Sequence, residues 1–159
     1  MKKIILNTIS IILSILLITH ISLLCFGVRF FSVKTGSMEP EIHQGSLVYV
    51  KTYKSPDAFY SDIEVGTDIT YKLNDKDYVT HRIVTINEKD NILQTSGIIS
   101  NAAIEDISYD QVVGKVIFTI PVVGYVVRIC QTWYFWTMFV LVIVIVYISK
   151  LLIKELKKK

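Results

Sequence analysis

Cysteine is nearly absent. The chain has two, Cys25 and Cys130, and both lie in or at the edge of apolar segments. That leaves no disulfide framework and no metal-ligand cluster, so no metal or other cofactor is expected. Charge is missing from two long stretches, Ile4 to Val28 and Ile129 to Ser149, which hold no Asp, Glu, Lys or Arg. Each exceeds the roughly 20 residues that a helix needs to cross a bilayer. A core helix keeps a polar face and these stretches have none, so they read as two transmembrane helices. Alanine does not occur before Ala58. The first stretch therefore lacks an A-x-A-like cleavage site, and it is too long for the h-region of a removable signal peptide. It is expected to remain as an anchor. Zinc-ligand spacing, a phosphate loop and internal repeats are also missing.

The charge that is present divides by region. Lys2 and Lys3 precede the first apolar stretch, and Lys150, Lys154, Lys157, Lys158 and Lys159 follow the second against Glu155. The middle, Arg29 to Arg128, carries ten Lys or Arg and thirteen Asp or Glu. The net +3 of the chain is thus a property of its tails, and no nucleic-acid-binding surface is expected. Basic flanks stay on the cytoplasmic side of a membrane. The expected organisation is an anchor over 4–28, an extracytoplasmic domain over 29–128, a second span over 129–149 and a basic cytoplasmic tail over 150–159. Trp133, Tyr134 and Trp136 would form an interfacial belt at the outer end of the second span.

Between the anchors the pattern is that of strands. "SLVYVKTY", "TDITYKL", "DYVTHRIVTI" and "QVVGKVIFTI" are rich in Val, Ile, Thr and Tyr, and several alternate apolar with polar. "SPDAFYSD", "NDKD", "NEKDN" and "SGIISNA" separate them as turn-forming clusters. "LNDKDY" predicts a hairpin. The fold class expected is mainly β: a small antiparallel β-domain between two transmembrane α-helices.

Few residues in this domain carry chemistry. His20 lies inside the first span and faces a neighbour there. His43 follows a Ser-Met-Glu-Pro turn. His81 is mid-strand, where alternation puts Val79, His81 and Ile83 on one face and Tyr78, Thr80 and Arg82 on the other. Alone, such a histidine is a hydrogen-bonded core residue more often than a catalytic one. Ser37 alone is an ordinary turn serine.

Together they carry more. Thr35-Gly36-Ser37-Met38-Glu39-Pro40 stands just beyond the first anchor, His81-Arg82-Ile83-Val84 follows on a strand, and "TSG…SYDQVVGKVIFTIPVVGY" precedes the second span. This arrangement resembles the type I signal peptidases, in the endoplasmic-reticulum and archaeal branch that some Gram-positive bacteria also have. The resemblance covers nearly the whole chain. It implies a serine endopeptidase that removes signal peptides from secretory preproteins at the bilayer, with Ser37 as nucleophile and His81 as its base. A serine hydroxyl needs a base within hydrogen-bond reach to attack a peptide carbonyl. A neutral imidazole serves that role near ambient pH with little tuning. Gly36 lets the chain come close enough for the Ser37 N–H to donate to an oxyanion. A non-catalytic relative that binds export substrates or a partner is the alternative.

The family's orienting acid has no direct match. Ile98 occupies the first acid position, Ile104 the second by strict count, and only Asn101 of the usual loop remains. Asp106 or Glu105 reaches His81 if the loop has slipped by one or two residues. Asp106, the shorter acid nearest the following strand, comes first; a solvated loop carboxylate is its plain alternative. Met38 has two readings as well. It packs toward the bilayer or the substrate, as Phe30, Phe31 and Val33 would, or it fills the core.

Overall fold

The computed structural model describes residues 2–99 and 102–156. Helix α1 (Lys2–Cys25) has no distinct polar face, and no residue of its span from Lys3 to Cys25 is buried; it meets the β-domain near its C-terminal end, through His20. It is long and apolar enough to cross a membrane. The helix stops at Cys25, short of the expected Val28, because Gly27 turns to φ +78°. Glycine takes that left-handed conformation without a Cβ penalty and ends helices by it. Its carbonyl then accepts from the Thr52 N–H at 2.9 Å and the Thr52 hydroxyl at 2.7 Å. The chain is thereby handed straight into a strand.

Seven strands follow: β1 (Val28–Ser32), β2 (Leu47–Lys51), β3 (Asp68–Lys72), β4 (Tyr78–Asn87), β5 (Ile92–Ser96), β6 (Ile104–Ser108) and β7 (Val112–Ile120). They form one antiparallel sheet in the order β1-β2-β7-β3-β4-β5-β6. The fold class is the one expected, an antiparallel β-domain flanked by apolar helices. The β3–β4 hairpin closes where "LNDKDY" predicts. Asn74 Oδ1 accepts from the N–H groups of Lys76 at 3.0 Å and Asp77 at 2.8 Å, the local bonding that makes Asn a turn former.

The "SPDAFYSD" segment is a correction, since it forms helix α2 (Pro56–Tyr60) rather than a turn. Ser55 caps it by accepting from the Ala58 N–H at 3.3 Å, and proline sits at the first helical position, where no N–H is needed. The helix buries Phe59 against Ile69, Tyr71, Ile83, Leu93 and Ile107.

A second cluster gathers Val33, Met38, Ile42, Val48 and Val50. Met38 is 1% exposed there, so it fills the core and does not face lipid. Val33 is buried with it, while Phe31 lies at the edge of the cluster. Met38→Ala is expected to cost about 2–5 kcal/mol, as truncations of buried methionine do. Chemical unfolding in detergent checks this, and a loss well under 1 kcal/mol would contradict the packing.

After β7 comes helix α3 (Val123–Gln131), pinned to β1 by the Ser32 hydroxyl donating to the Gly124 carbonyl at 3.0 Å. It takes up Ile129, so the second long apolar helix, α4 (Trp133–Leu156), begins after an extended residue, Thr132. Trp133, Tyr134 and Trp136 stand exposed in its first turn. This helix also has the length and composition to cross a membrane. Lys157 to Lys159 of the basic tail lie outside the described residues.

Candidate active site

Ser37 sits on the loop between β1 and β2, twelve residues past the end of α1. That loop is anchored on both sides of the serine. Val33 and Met38 plunge into the second cluster, and the Ile42 N–H donates to the Met38 carbonyl at 2.9 Å. The Ser37 carbonyl accepts from the N–H groups of Ile98 at 2.8 Å and Ile99 at 3.3 Å. Gly97 makes this possible: a Cβ placed there would lie 2.6 Å from the Ser37 carbonyl oxygen. Ile98, at the position of the family's first acid, packs against the second cluster instead of addressing the site.

His81 lies on β4 with its ring facing inward, as the alternation predicts, and is 8% exposed. Its Nε2 is 3.2 Å from Ser37 Oγ, although the two residues are 44 positions apart. The Thr35 hydroxyl stands 3.4 Å from the same Oγ. Burial holds the His81 imidazole below its ordinary value, because desolvation penalises the charged ring, and the nearby Glu105 carboxylate pulls the other way. The ring is therefore neutral at ambient pH, the state that a general base requires.

The orienting acid is a second correction. Asp106 does not approach His81. It is exposed and accepts from Gln94 Nε2 at 3.0 Å. The reason is register: β6 pairs with β5 so that Glu105 stands opposite Thr95, whose side chain is buried, while Asp106 stands opposite Gln94. Successive strand residues face opposite ways, so one carboxylate points to the site and its neighbour away. Glu105 Oε2 lies 3.9 Å from His81 Nδ1. Between them is Tyr71 of β3, which sequence reading left unassigned. Its hydroxyl is 3.0 Å from His81 Nδ1 and donates to Glu105 Oε2 in a very short contact. Burial and the carboxylate push the Tyr71 phenol well above its usual range, so it stays protonated. Asn101, the remaining match to the family's loop, lies outside the described residues.

The other candidates separate. His43 is exposed, and the His20 ring packs at 4.5 Å on Phe30 and 6.0 Å on Tyr49. Arg82 turns its guanidinium to Asp68, with Nε 2.8 Å from Oδ1, and to Glu41 on the serine loop, with Nη1 2.9 Å from Oε1. It thus ties the loop that carries Ser37 to the strand that carries His81. A cleft of about 370 Å³ opens beside Ser37, with Phe31, Val48, Leu73, Tyr78 and Val79 among its walls. Among the described residues, no cluster of three His, Cys, Asp or Glu is arranged to hold a metal.

No family model matches the chain. Signal peptidase I W of Bacillus subtilis (strain 168) is 39% identical to it over 64 residues, 40% of this chain and 32% of that protein. The signal peptidase complex catalytic subunit SEC11C of Canis lupus familiaris and of Homo sapiens is 32% identical over 60 residues, 37% of this chain and 29% of those proteins. The matched stretch thus spans about a third of each relative. This likeness supports a signal-peptidase relationship for that part of the chain.

Proposed function

We propose that the chain is a membrane-bound serine endopeptidase that removes signal peptides from exported preproteins. Ser37 is the nucleophile and His81 the general base. The observation that carries this reading is the 3.2 Å approach of His81 Nε2 to Ser37 Oγ. The base takes the serine proton as Oγ attacks the scissile carbonyl, then gives it to the leaving amine. The oxyanion donors in this reading are the Ser37 N–H and the Thr35 hydroxyl, the latter supported by its 3.4 Å approach to Ser37 Oγ. The basic flanks of the two spans put both termini in the cytoplasm and the β-domain outside. A serine so close to its own anchor reaches bonds near the membrane surface. The cut site of a preprotein, just beyond its apolar segment, is such a bond. The substrate enters as an extended strand, with small side chains in the cleft beside Ser37.

The test is chemical. Detergent-solubilised protein treated with a fluorophosphonate is expected to carry one adduct, mapped by mass spectrometry to Ser37. A preprotein is expected to be cut just past its apolar segment. A chain that takes no adduct and yields no product is instead a tethered β-domain that binds export substrates.

A further inference from the structure

We propose that Tyr71 is a positioning residue for this cleavage: its hydroxyl couples the Glu105 carboxylate to His81, in place of an acid bonded directly to the imidazole. The inference rests on the Ser37–His81 reading above. Tyr71 is fully buried on β3, and its cross-strand partner on β4 is Val79, which makes His81 its diagonal neighbour on the same face. Glu105 Oε2, at 3.9 Å from His81 Nδ1, is too far for a hydrogen bond. The phenol oxygen fills that gap, touching both.

Proton counting then sets the tautomer. A phenol has one proton to donate and lone pairs with which to accept. An ionised carboxylate only accepts, so the Tyr71 proton goes to Glu105. Only lone pairs remain for His81, so Nδ1 must carry the ring proton. That leaves Nε2 bare and facing Ser37 Oγ, the tautomer that general-base chemistry needs. The reverse, with Tyr71 donating to Nδ1, leaves the phenol oxygen and the carboxylate facing each other with no proton between them. When His81 takes the serine proton, the imidazolium keeps its Nδ1–H on Tyr71. The charge of Glu105 then acts on it through a polarised hydroxyl.

The plain alternative is that Tyr71 only fills the core beside Phe59, Ile83 and Leu93. Tyr71→Phe separates the two, because it keeps the ring and removes the hydroxyl. The full chain in detergent is compared as wild type, Tyr71→Phe, Glu105→Gln, the double variant and Asp106→Asn. Tyr71→Phe and Glu105→Gln are each expected to lower kcat by about 10²- to 10³-fold with KM little changed, less than the roughly 10⁴-fold lost when an acid bonded directly to the imidazole is neutralised. In both, the acid limb of kcat moves to lower pH, since each removes a group that stabilises the imidazolium. The double variant loses no more than the worse single one, and Asp106→Asn keeps wild-type turnover. Ring ¹⁵N shifts of His81 read the same point without turnover: Nδ1-protonated in the wild type, a tautomer mixture in Tyr71→Phe. Wild-type kcat in Tyr71→Phe, multiplied losses in the double variant, or an Nε2-protonated ring in the wild type overturns the inference. If Ser37→Ala is as active as the wild type, it is the peptidase reading that fails. If Ser37→Ala is inactive while Tyr71→Phe is unimpaired, only the coupling fails.

Discussion

Ser37→Ala and His81→Ala are each expected to lower kcat for preprotein cleavage by about a millionfold, and the double variant by no more. In the proposed mechanism the two side chains act as one unit, and neither has a role without the other. An alcohol at neutral pH is too weak a nucleophile until a base removes its proton in the transition state. A base 3.2 Å from Oγ with no hydroxyl to deprotonate does nothing. The activity left would come from binding and oxyanion donors alone. Mass spectrometry of the cleaved preprotein checks this, and more than about 1% residual turnover in either variant contradicts the assignment. The pH dependence has a definite sign. As the proposed base, His81 acts when neutral, and burial lowers its value below the ordinary 6.5. The rate is therefore full above that range and falls only as the pH drops through the lowered value, so the acid limb lies below 6.5.

How much of this was legible in the sequence depends on the interaction that decides each feature. The inward face of β4 follows from local alternation, so Val79, His81 and Ile83 were readable with no partner strand. The apolar helices were readable from length and lack of charge. Strands β5 and β6 were not: "IEDIS" puts two acids among three other residues and reads as loop. It is a strand only because β5 pairs with it. The same pairing chose Glu105 over Asp106, a one-residue difference that flips a side chain to the opposite face. Reach along the chain favoured Asp106, and register overruled it. Tyr71 was hidden for a related reason. In "TDITYKL" a tyrosine is ordinary strand chemistry. Its meaning lies in what two other strands bring within 3.0 Å of its hydroxyl or closer.

Gly97→Ala is expected to lower kcat by about 10²-fold with the fold retained, because it displaces Ser37, the proposed nucleophile, and leaves the chemical groups unchanged. The added Cβ would stand 2.6 Å from the Ser37 carbonyl oxygen and 3.2 Å from the Ser37 Cβ. The first is backbone, which a rotamer change cannot move, so the serine loop or the 97–99 segment must shift. Neither shift is free. The Ser37 carbonyl is held by the Ile98 and Ile99 N–H groups, and Ile98 is packed against the cluster that buries Met38. Nor can the base follow, because His81 is fixed in the sheet between β3 and β5. A displacement of a few tenths of an ångström then falls on the Oγ–Nε2 contact, at 3.2 Å already at the long end for proton transfer. Fluorophosphonate labelling should slow in parallel with turnover, since both need an aligned Oγ. Unaltered labelling in Gly97→Ala would mean that the loop yields elsewhere and that the close approach of Gly97 does not set the position of the serine.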